Sequence, residues 1–348
     1  MRVIYLVTVL PGVQCGVVDY TRQLAQAMTQ QNASAIVEEL SIWSFAKLWF
    51  LFKKYGRDKE TVFHVQYPTL GMGKSFAPAL LPLLFGHRRV FYTLHEFGQF
   101  NPIRKLYFLF AGLLTKNFIF TNEHEQRRFA KFFPWQKNLG HIIPIGNNIN
   151  VFPLEKPAEP PQRLVYFGQI APDKGIEQFL DTVRLLRAYG SKLSCAVIGA
   201  LINPESEIAK KVKAAAADFG IDCLFNLSSE DVSKELQKSS IALLPFAEGV
   251  SDKRGSALAC LKHGLAVLTK HTGLTPAWWR KTTHNVQNAE DAVRVVENIL
   301  SEKTAKVPDL FALADALAER EWINIAKEHL DLYNCACFGL FWCVVHKE

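Results

Sequence analysis

The strongest constraint on this chain is a rhythm. Short apolar, β-branched runs alternate with longer amphipathic stretches, and the alternation occurs twice. Before a proline-rich break the strand-like runs fall at 3–9, 36–40, 62–66, 90–94, 118–121 and 141–145, with helix-like stretches at 18–30, 42–55, 103–114 and 124–132. Beyond it, strands are expected at 163–168, 193–198, 223–226, 241–245 and 266–269, and helices at 175–189, 205–219, 229–238, 256–263 and 289–301. Strands apolar on both sides need cover on both sides, so the pattern predicts parallel sheets with helices on each face. The break at 152–161 carries four prolines and reads as a stiff, extended linker. Two α/β lobes are therefore expected, 1–152 and 163–318, joined by a linker at 153–162, with their strand ends facing a cleft. Ligands of open α/β sheets bind outside the carboxyl ends of the strands, so function is sought in those loops.

Length agrees with two domains, since 348 residues exceed one ordinary core. Seven cysteines without a CxxC pair fit reduced thiols of a cytoplasmic protein better than a disulfide framework, and no Cys/His spacing suggests a metal site. The apolar run 3–10 lacks a small-x-small cleavage site and reads as a buried first strand rather than a signal peptide. No run reaches the roughly 18 apolar residues of a spanning helix. Charge is lopsided: residues 1–150 hold 17 Lys+Arg against 8 Asp+Glu, a net of +9, while the remainder is at −2. No nucleic-acid motif accompanies that basic half, and its aromatics lie in apolar runs, so no nucleic-acid partner is expected. The stretch 43–54 mixes Trp, Phe and Lys. On a helix it would either pack into the core or lie in a bilayer interface, giving a protein peripheral at the inner face of the membrane with an anionic surface as partner.

Four segments carry the chemistry. After the first strand, Gly12 and Gly16 let the chain turn tightly and leave helix amides open to a ligand, although glycines there also serve packing. His95, at a strand end beside Glu96, points toward a cleft or caps the core. Gly168 and Gln169 end another strand, and Lys174 just before the next helix is placed to meet a diphosphate, unless it is an ordinary solvated lysine. The richest segment runs from Pro245 to Ser256. Glu248, Ser251 and Asp252 offer acceptors for hydroxyls, Arg254 offers a fork of donors, and Gly255-Ser256 opens a helix whose free amides form an anion site. A charged surface loop capped by serine is the plainer alternative.

In order and interval these segments resemble family-four glycosyltransferases. The resemblance runs from the first strand to about Tyr333 and includes Gly12 and Gly16, His95, the 143–148 segment, Tyr166-Phe167-Gly168 with Lys174-Gly175, Val197-Ile198-Gly199, and Gly264 ahead of Val267. It implies the GT-B fold, two Rossmann-like lobes with parallel sheets facing a central cleft. It also implies a helix over 319–334 that returns to the first lobe, leaving 335–348 as an apolar tail. The implied activity is metal-independent, retaining transfer of a hexose from a nucleoside diphosphate sugar to a hydroxyl acceptor. The donor nucleotide would be UDP or GDP, no cofactor is needed, and the acceptor is a glycan or a lipid-linked one in cell-surface polysaccharide or glycolipid synthesis. His95, Lys174 and Arg254 are the implied catalytic residues. The donor would be held by Gly12, Gly16, Gly168, Gln169, Lys174, Glu248, Ser251, Asp252, Arg254, Gly255 and Ser256. Departures exist: Gln169 stands where the family usually has arginine, and Ser251 and Ala259 stand where it usually has a glutamate pair. These permit a second reading, a catalytically silent protein that binds nucleotide sugars on the same fold.

Overall fold

The structure, a computed structural model, describes residues 1–10, 15–73, 75–95, 97–134, 140–153, 162–172, 174–304 and 306–338. Gly12, Glu96, most of the linker and the tail beyond 338 lie outside the described residues.

The chain divides into two compact units, Met1–Asn148 with the segment beginning at Glu319, and Ile149–Ala318. In the first unit, strands β1 (Arg2–Thr8), β2 (Ser34–Leu40), β3 (Thr61–Tyr67), β4 (Val90–Leu94), β5 (Phe118–Phe120) and β6 (His141–Ile142) form one sheet in the order β2-β1-β3-β4-β5-β6. Every neighbouring pair is parallel. Helices α1 (Gly16–Gln30), α2 (Phe45–Tyr55), α3 (Leu81–Phe85), α4 (Pro102–Leu114) and α5 (Glu123–Phe132) connect them. The two-residue period of β1 shows how the layers form. Ile4 and Leu6 enter a core built with α2, α3 and α4, whereas Val3 and Tyr5 enter a second core with α1.

In the second unit, β7 (Arg163–Phe167), β8 (Ser194–Gly199), β9 (Ile221–Phe225), β10 (Ile241–Leu244), β11 (Ala266–Thr269) and β12 (His284–Asn285) are again all parallel, in the order β12-β11-β10-β7-β8-β9. Helices α6 (Ile176–Ala188), α7 (Glu207–Phe219), α8 (Ser229–Gln237), α9 (Gly255–Lys262), α10 (Ala277–Thr282), α11 (Ala289–Leu300) and α12 (Leu310–Glu319) follow. The last helix, α13 (Trp322–Phe338), belongs with the first unit, where Ile325, Ala326, Leu332 and Tyr333 join Val3, Tyr5 and Leu24 in one core. It runs four residues past the expected boundary at 334, because Cys335–Phe338 continue its turns.

Helix starts are set locally. Ser44, Asn101, Asn122, Ser206, Ser228 and Asn288 each accept a hydrogen bond from a backbone amide three residues on. The short elements α3, α10, α12 and β12 had no expected counterpart, being too brief or too weakly periodic to stand out. Cys15, Cys195, Cys223, Cys260 and Cys337 are free thiols, but Cys335 is disulfide-bonded, against the expectation of reduced cysteines throughout.

Candidate functional site

In the second unit the chain lays down β7, β8 and β9 in one direction, then returns to the other side of β7 to add β10, β11 and β12. Such a reversal leaves a crevice beyond the carboxyl ends of the two strands that flank it. Those strands are β7 and β10. The loop after β7 carries Gly168, Gln169 and Lys174, and the loop after β10 carries residues 245–256. The topology thus brings together two motifs that are some eighty residues apart in sequence.

Backbone geometry holds the two loops tightly against each other. Gly175, at φ +86°, precedes α6, and a Cβ there would sit 2.2 Å from the Pro245 carbonyl oxygen. No side chain fits. Gly199, at the end of β8, is as constrained, since a Cβ would lie 1.9 Å from the Gly168 oxygen. Beneath the first loop the buried Tyr166 hydroxyl lies 3.2 Å from the carbonyl oxygens of both Gln169 and Lys174. Burial drives the Tyr166 pKa upward, and the positive charge of Arg254 opposes that rise. Arg254 is therefore electrostatically coupled to the floor of the Gln169–Lys174 loop.

Arg254 precedes α9, with its guanidinium stacked 4.5 Å from the Phe246 ring centroid. Its Nη2 lies 4.0 Å from Glu248, whose side chain is 82% exposed. No side chain caps α9, and the space beside Gly255 is open. The Gly255 amide donates to the Lys253 carbonyl at 3.2 Å, so the helix presents its following amides and the positive end of its dipole to that space. Ser256, in the first turn, is half-buried, as is Ser251, whose carbonyl accepts from the Arg254 amide. Asp252 accepts a 2.8 Å hydrogen bond from the Trp278 indole of α10, which fixes its carboxylate in place. Gly249, at φ +86°, is crowded by Thr272. Ala259 is fully buried in α9. Lys174, Arg254, Gly255 and Ser256 thus all belong to the two loops of one crevice, with Gln169 exposed at its edge.

The first unit has its own reversal, between β1 and β3. Gly16 opens α1 with nothing within 4 Å of a Cβ position, and its carbonyl lies 3.4 Å from the Asn148 amide nitrogen. His95 follows β4. Its ring is 9% exposed, packs edge-on against Tyr20, and Nε2 lies 2.8 Å from Gln66 Oε1. With the Gln66 amide oriented this way, its oxygen accepts and His95 Nε2 is the donor. Gln66 is fully buried, and its amide nitrogen has no hydrogen-bond partner among the described residues. Below this pair on the same sheet face, His64 lies 2.7 Å from Thr93 Oγ1 and 2.5 Å from the Tyr333 hydroxyl, which in turn lies 3.3 Å from that of Tyr5. Burial lowers the His64 pKa, with His329 and His95 adding to the effect. His95 therefore caps a polar ladder that runs through an apolar sheet.

Sequence reasoning gave no site role to Gln66, Tyr166 or Phe246, although Tyr166 and Phe246 lie in segments it singled out. Gln66 carried one available signal, a polar residue in the run 62–67 that is otherwise aromatic or β-branched apart from His64. Among the described residues no cluster of three or more His, Cys, Asp or Glu could hold a metal ion. No described helix is long and apolar enough to cross a membrane.

No protein-family model and no curated protein matches the chain. Solved structures do. A glycosyltransferase from Rickettsia africae is 15% identical at a TM-score of 0.73, covering 96% of this chain and 98% of its own. Anabaena HepE in complex with UDP-glucose is 12% identical at 0.69, covering 95% and 98%. S. aureus TarM, in a complex containing UDP, is 12% identical at 0.58, covering 82% and 58%. At these identities the likeness shows the fold, GT-B with two Rossmann-like α/β units, and leaves function to the residues of the site.

Proposed function

We propose that the chain is a glycosyltransferase that takes a sugar from a nucleoside diphosphate sugar and places it on an acceptor hydroxyl. One observation carries this reading. The loop after β7 carries Lys174, the loop after β10 carries Arg254 and leads into the uncapped N-terminus of α9, and Gly175 of the first loop lies close against Pro245 of the second. Such a set matches a diphosphate in charge and in donor geometry. The fold shared with HepE, solved with UDP-glucose, supports UDP as the nucleotide, with GDP the alternative.

In the reaction the bond between the anomeric carbon and the diphosphate oxygen breaks, the acceptor oxygen takes its place with the configuration retained, and the hydroxyl proton passes to the departing diphosphate. Negative charge grows on the departing diphosphate. Lys174, Arg254 and the Ser256 amide are assigned to meet it, with the Gly255 amide joining if it leaves the Lys253 carbonyl, since donors aimed at developing charge lower a barrier most. No cofactor enters this account, and protein cations rather than a metal carry the neutralisation, so chelation should leave turnover unchanged. Asp252, held by Trp278, and the exposed Glu248 are assigned hydroxyl groups of the nucleotide sugar. His95 is assigned a sugar hydroxyl, with Gln66 fixing which ring nitrogen bears its proton. The acceptor is a glycan or lipid-linked hydroxyl of the kind consumed in cell-surface polysaccharide or glycolipid assembly.

The competing reading, a silent nucleotide-sugar binder, draws on Ala259 and Ser251, which offer no carboxylate in or just ahead of α9. A thermal-shift screen against UDP, GDP, ADP and their sugar conjugates, with and without chelator, tests binding. Release of free nucleotide from the conjugate that shifts most then tests turnover. A selective shift with turnover sustains the transferase. A shift without turnover for any acceptor supports the silent binder, and no shift at all removes the donor site.

A further inference from the structure

Helix α2 is apolar on two sides, and the fold buries only one. Leu48, Leu51 and Tyr55 enter the core beside Trp43, following helical spacing. A flanking stripe points outward: Phe45 is 71% exposed and Trp49, one turn on, is 55% exposed. The core alternative for the 43–54 segment therefore accounts for one side of the helix and leaves a second apolar side exposed.

The exposed stripe continues beyond α2. Helix α3 packs against both α2 and α4, and all three cover the same face of the first sheet, so their outer sides form one surface. Leu83 on α3 and Leu106 and Leu113 on α4 are exposed on it. Soluble monomers seldom leave a contiguous apolar patch of this kind without a use for it. Charge identifies that use. The three helices carry five cationic residues, Lys47, Lys53, Lys54, Arg104 and Lys105, and no acidic one. Lys53 lies over the Trp49 ring and Lys105 over Phe132, so the cations flank the aromatics. One of them, Lys54, is already paired with Glu38.

We propose that the α2–α3–α4 face of the first unit docks onto an anionic lipid bilayer. The aromatic and leucine side chains enter the boundary between headgroups and acyl chains, and the lysines reach up to the phosphates along their alkyl stems. An acidic protein would match the charge but not apolar side chains spread over three adjacent helices, whereas a bilayer takes any apolar residue at the right depth. The proposal goes beyond the transferase reading and concerns a different surface from the crevice. If both hold, the enzyme meets its acceptor at the membrane.

The test is flotation of the full chain with vesicles of phosphatidylcholine alone and of phosphatidylcholine mixed equally with phosphatidylglycerol. The wild-type protein should float with the anionic vesicles at low salt, lose most of that binding at high salt, and ignore the neutral ones. Replacing Lys47, Lys53 and Lys105 by Gln should lower the partition coefficient about a hundredfold. Phe45→Ser with Trp49→Ser should abolish flotation while leaving the thermal shift by UDP intact, because neither residue belongs to the donor crevice. That second readout separates failure of this proposal from failure of the transferase reading, and it also reports whether the variant is folded. Wild-type protein left at the bottom of the gradient at low salt would overturn the proposal. So would a dimer in solution that the Phe45→Ser, Trp49→Ser variant converts to monomer, since a second copy would then cover the face.

Discussion

The two units share an architecture but handle polarity in opposite ways. In the second unit the sheet interior is largely aliphatic, from Leu164 and Val165 through Ile241–Leu244 to Ala266–Leu268, and its polar networks lie around the sheet, as where Arg163 meets Asp222 and Glu235 at the start of β7. In the first unit a column of polar side chains, Tyr5, His64, Gln66, Thr93 and His95, runs through the sheet face toward Tyr333 of α13. An aliphatic interior offers the loops above it a platform that pH hardly perturbs. A buried polar ladder makes a specific arrangement at the cost of sensitivity, because each member depends on its neighbour for satisfaction.

The largest expected effect separates the edge chemistry of the second unit from its stability. Lys174→Ala and Arg254→Ala should each slow sugar transfer by roughly a hundredfold or more, equivalent to about 2.7–4 kcal/mol of barrier, with little change in melting temperature. Unchanged turnover would take the residue out of the mechanism. Parallel loss of stability would instead mean that the edge and the platform are one cooperative structure.

Acid should expose the weakness of the first unit. His329 is fully buried, its Nδ1 donates to the Ile325 carbonyl, and burial pushes its pKa down to about 4. A lowered histidine pKa means that the native state holds the neutral ring while the unfolded chain protonates near 6.5. The stabilisation from keeping this ring neutral is thus whole above pH 6.5 and disappears as pH falls from 6.5 toward 4. The loss is on the order of 3 kcal/mol for His329 alone. His64 shifts in the same direction. In the second unit His271 also falls to about 4, but it is only half-buried and solvent softens its effect. Urea melts from pH 7 down to pH 4.5 should lose stability steeply, and His329→Gln should flatten that slope. An equally steep slope in the variant would acquit the ladder.

A smaller effect probes the contact that assembles the crevice. Gly175→Ala places a methyl against the Pro245 carbonyl at a positive φ. It should destabilise the second unit by about 1–3 kcal/mol and weaken nucleotide binding with it. A neutral outcome in denaturant melts would show that the two loops can part without harm.

Much of this molecule is legible in its sequence. Eleven of the strands were anticipated within a few residues, because burial on both faces demands consecutive β-branched and aromatic residues, and that signal is local. Helix starts also carry a local signal, in capping residues such as Ser206 and Asn288. The residue types of the candidate site, Lys174, Arg254 and the Gly255-Ser256 turn, stood out only through their order and interval, since each alone is also what an ordinary surface loop carries. Only tertiary structure decided that β10 lies beside β7, which sets the Lys174 loop against Pro245 and couples Arg254 to Tyr166. Only tertiary structure paired Gln66 with His95 across 29 residues, and only it chose which side of α2 is buried. The reason is physical. Periodicity and capping act over two to four residues and leave their mark in the chain, whereas strand adjacency follows from how crossovers wind and sheets twist, and no short segment records that.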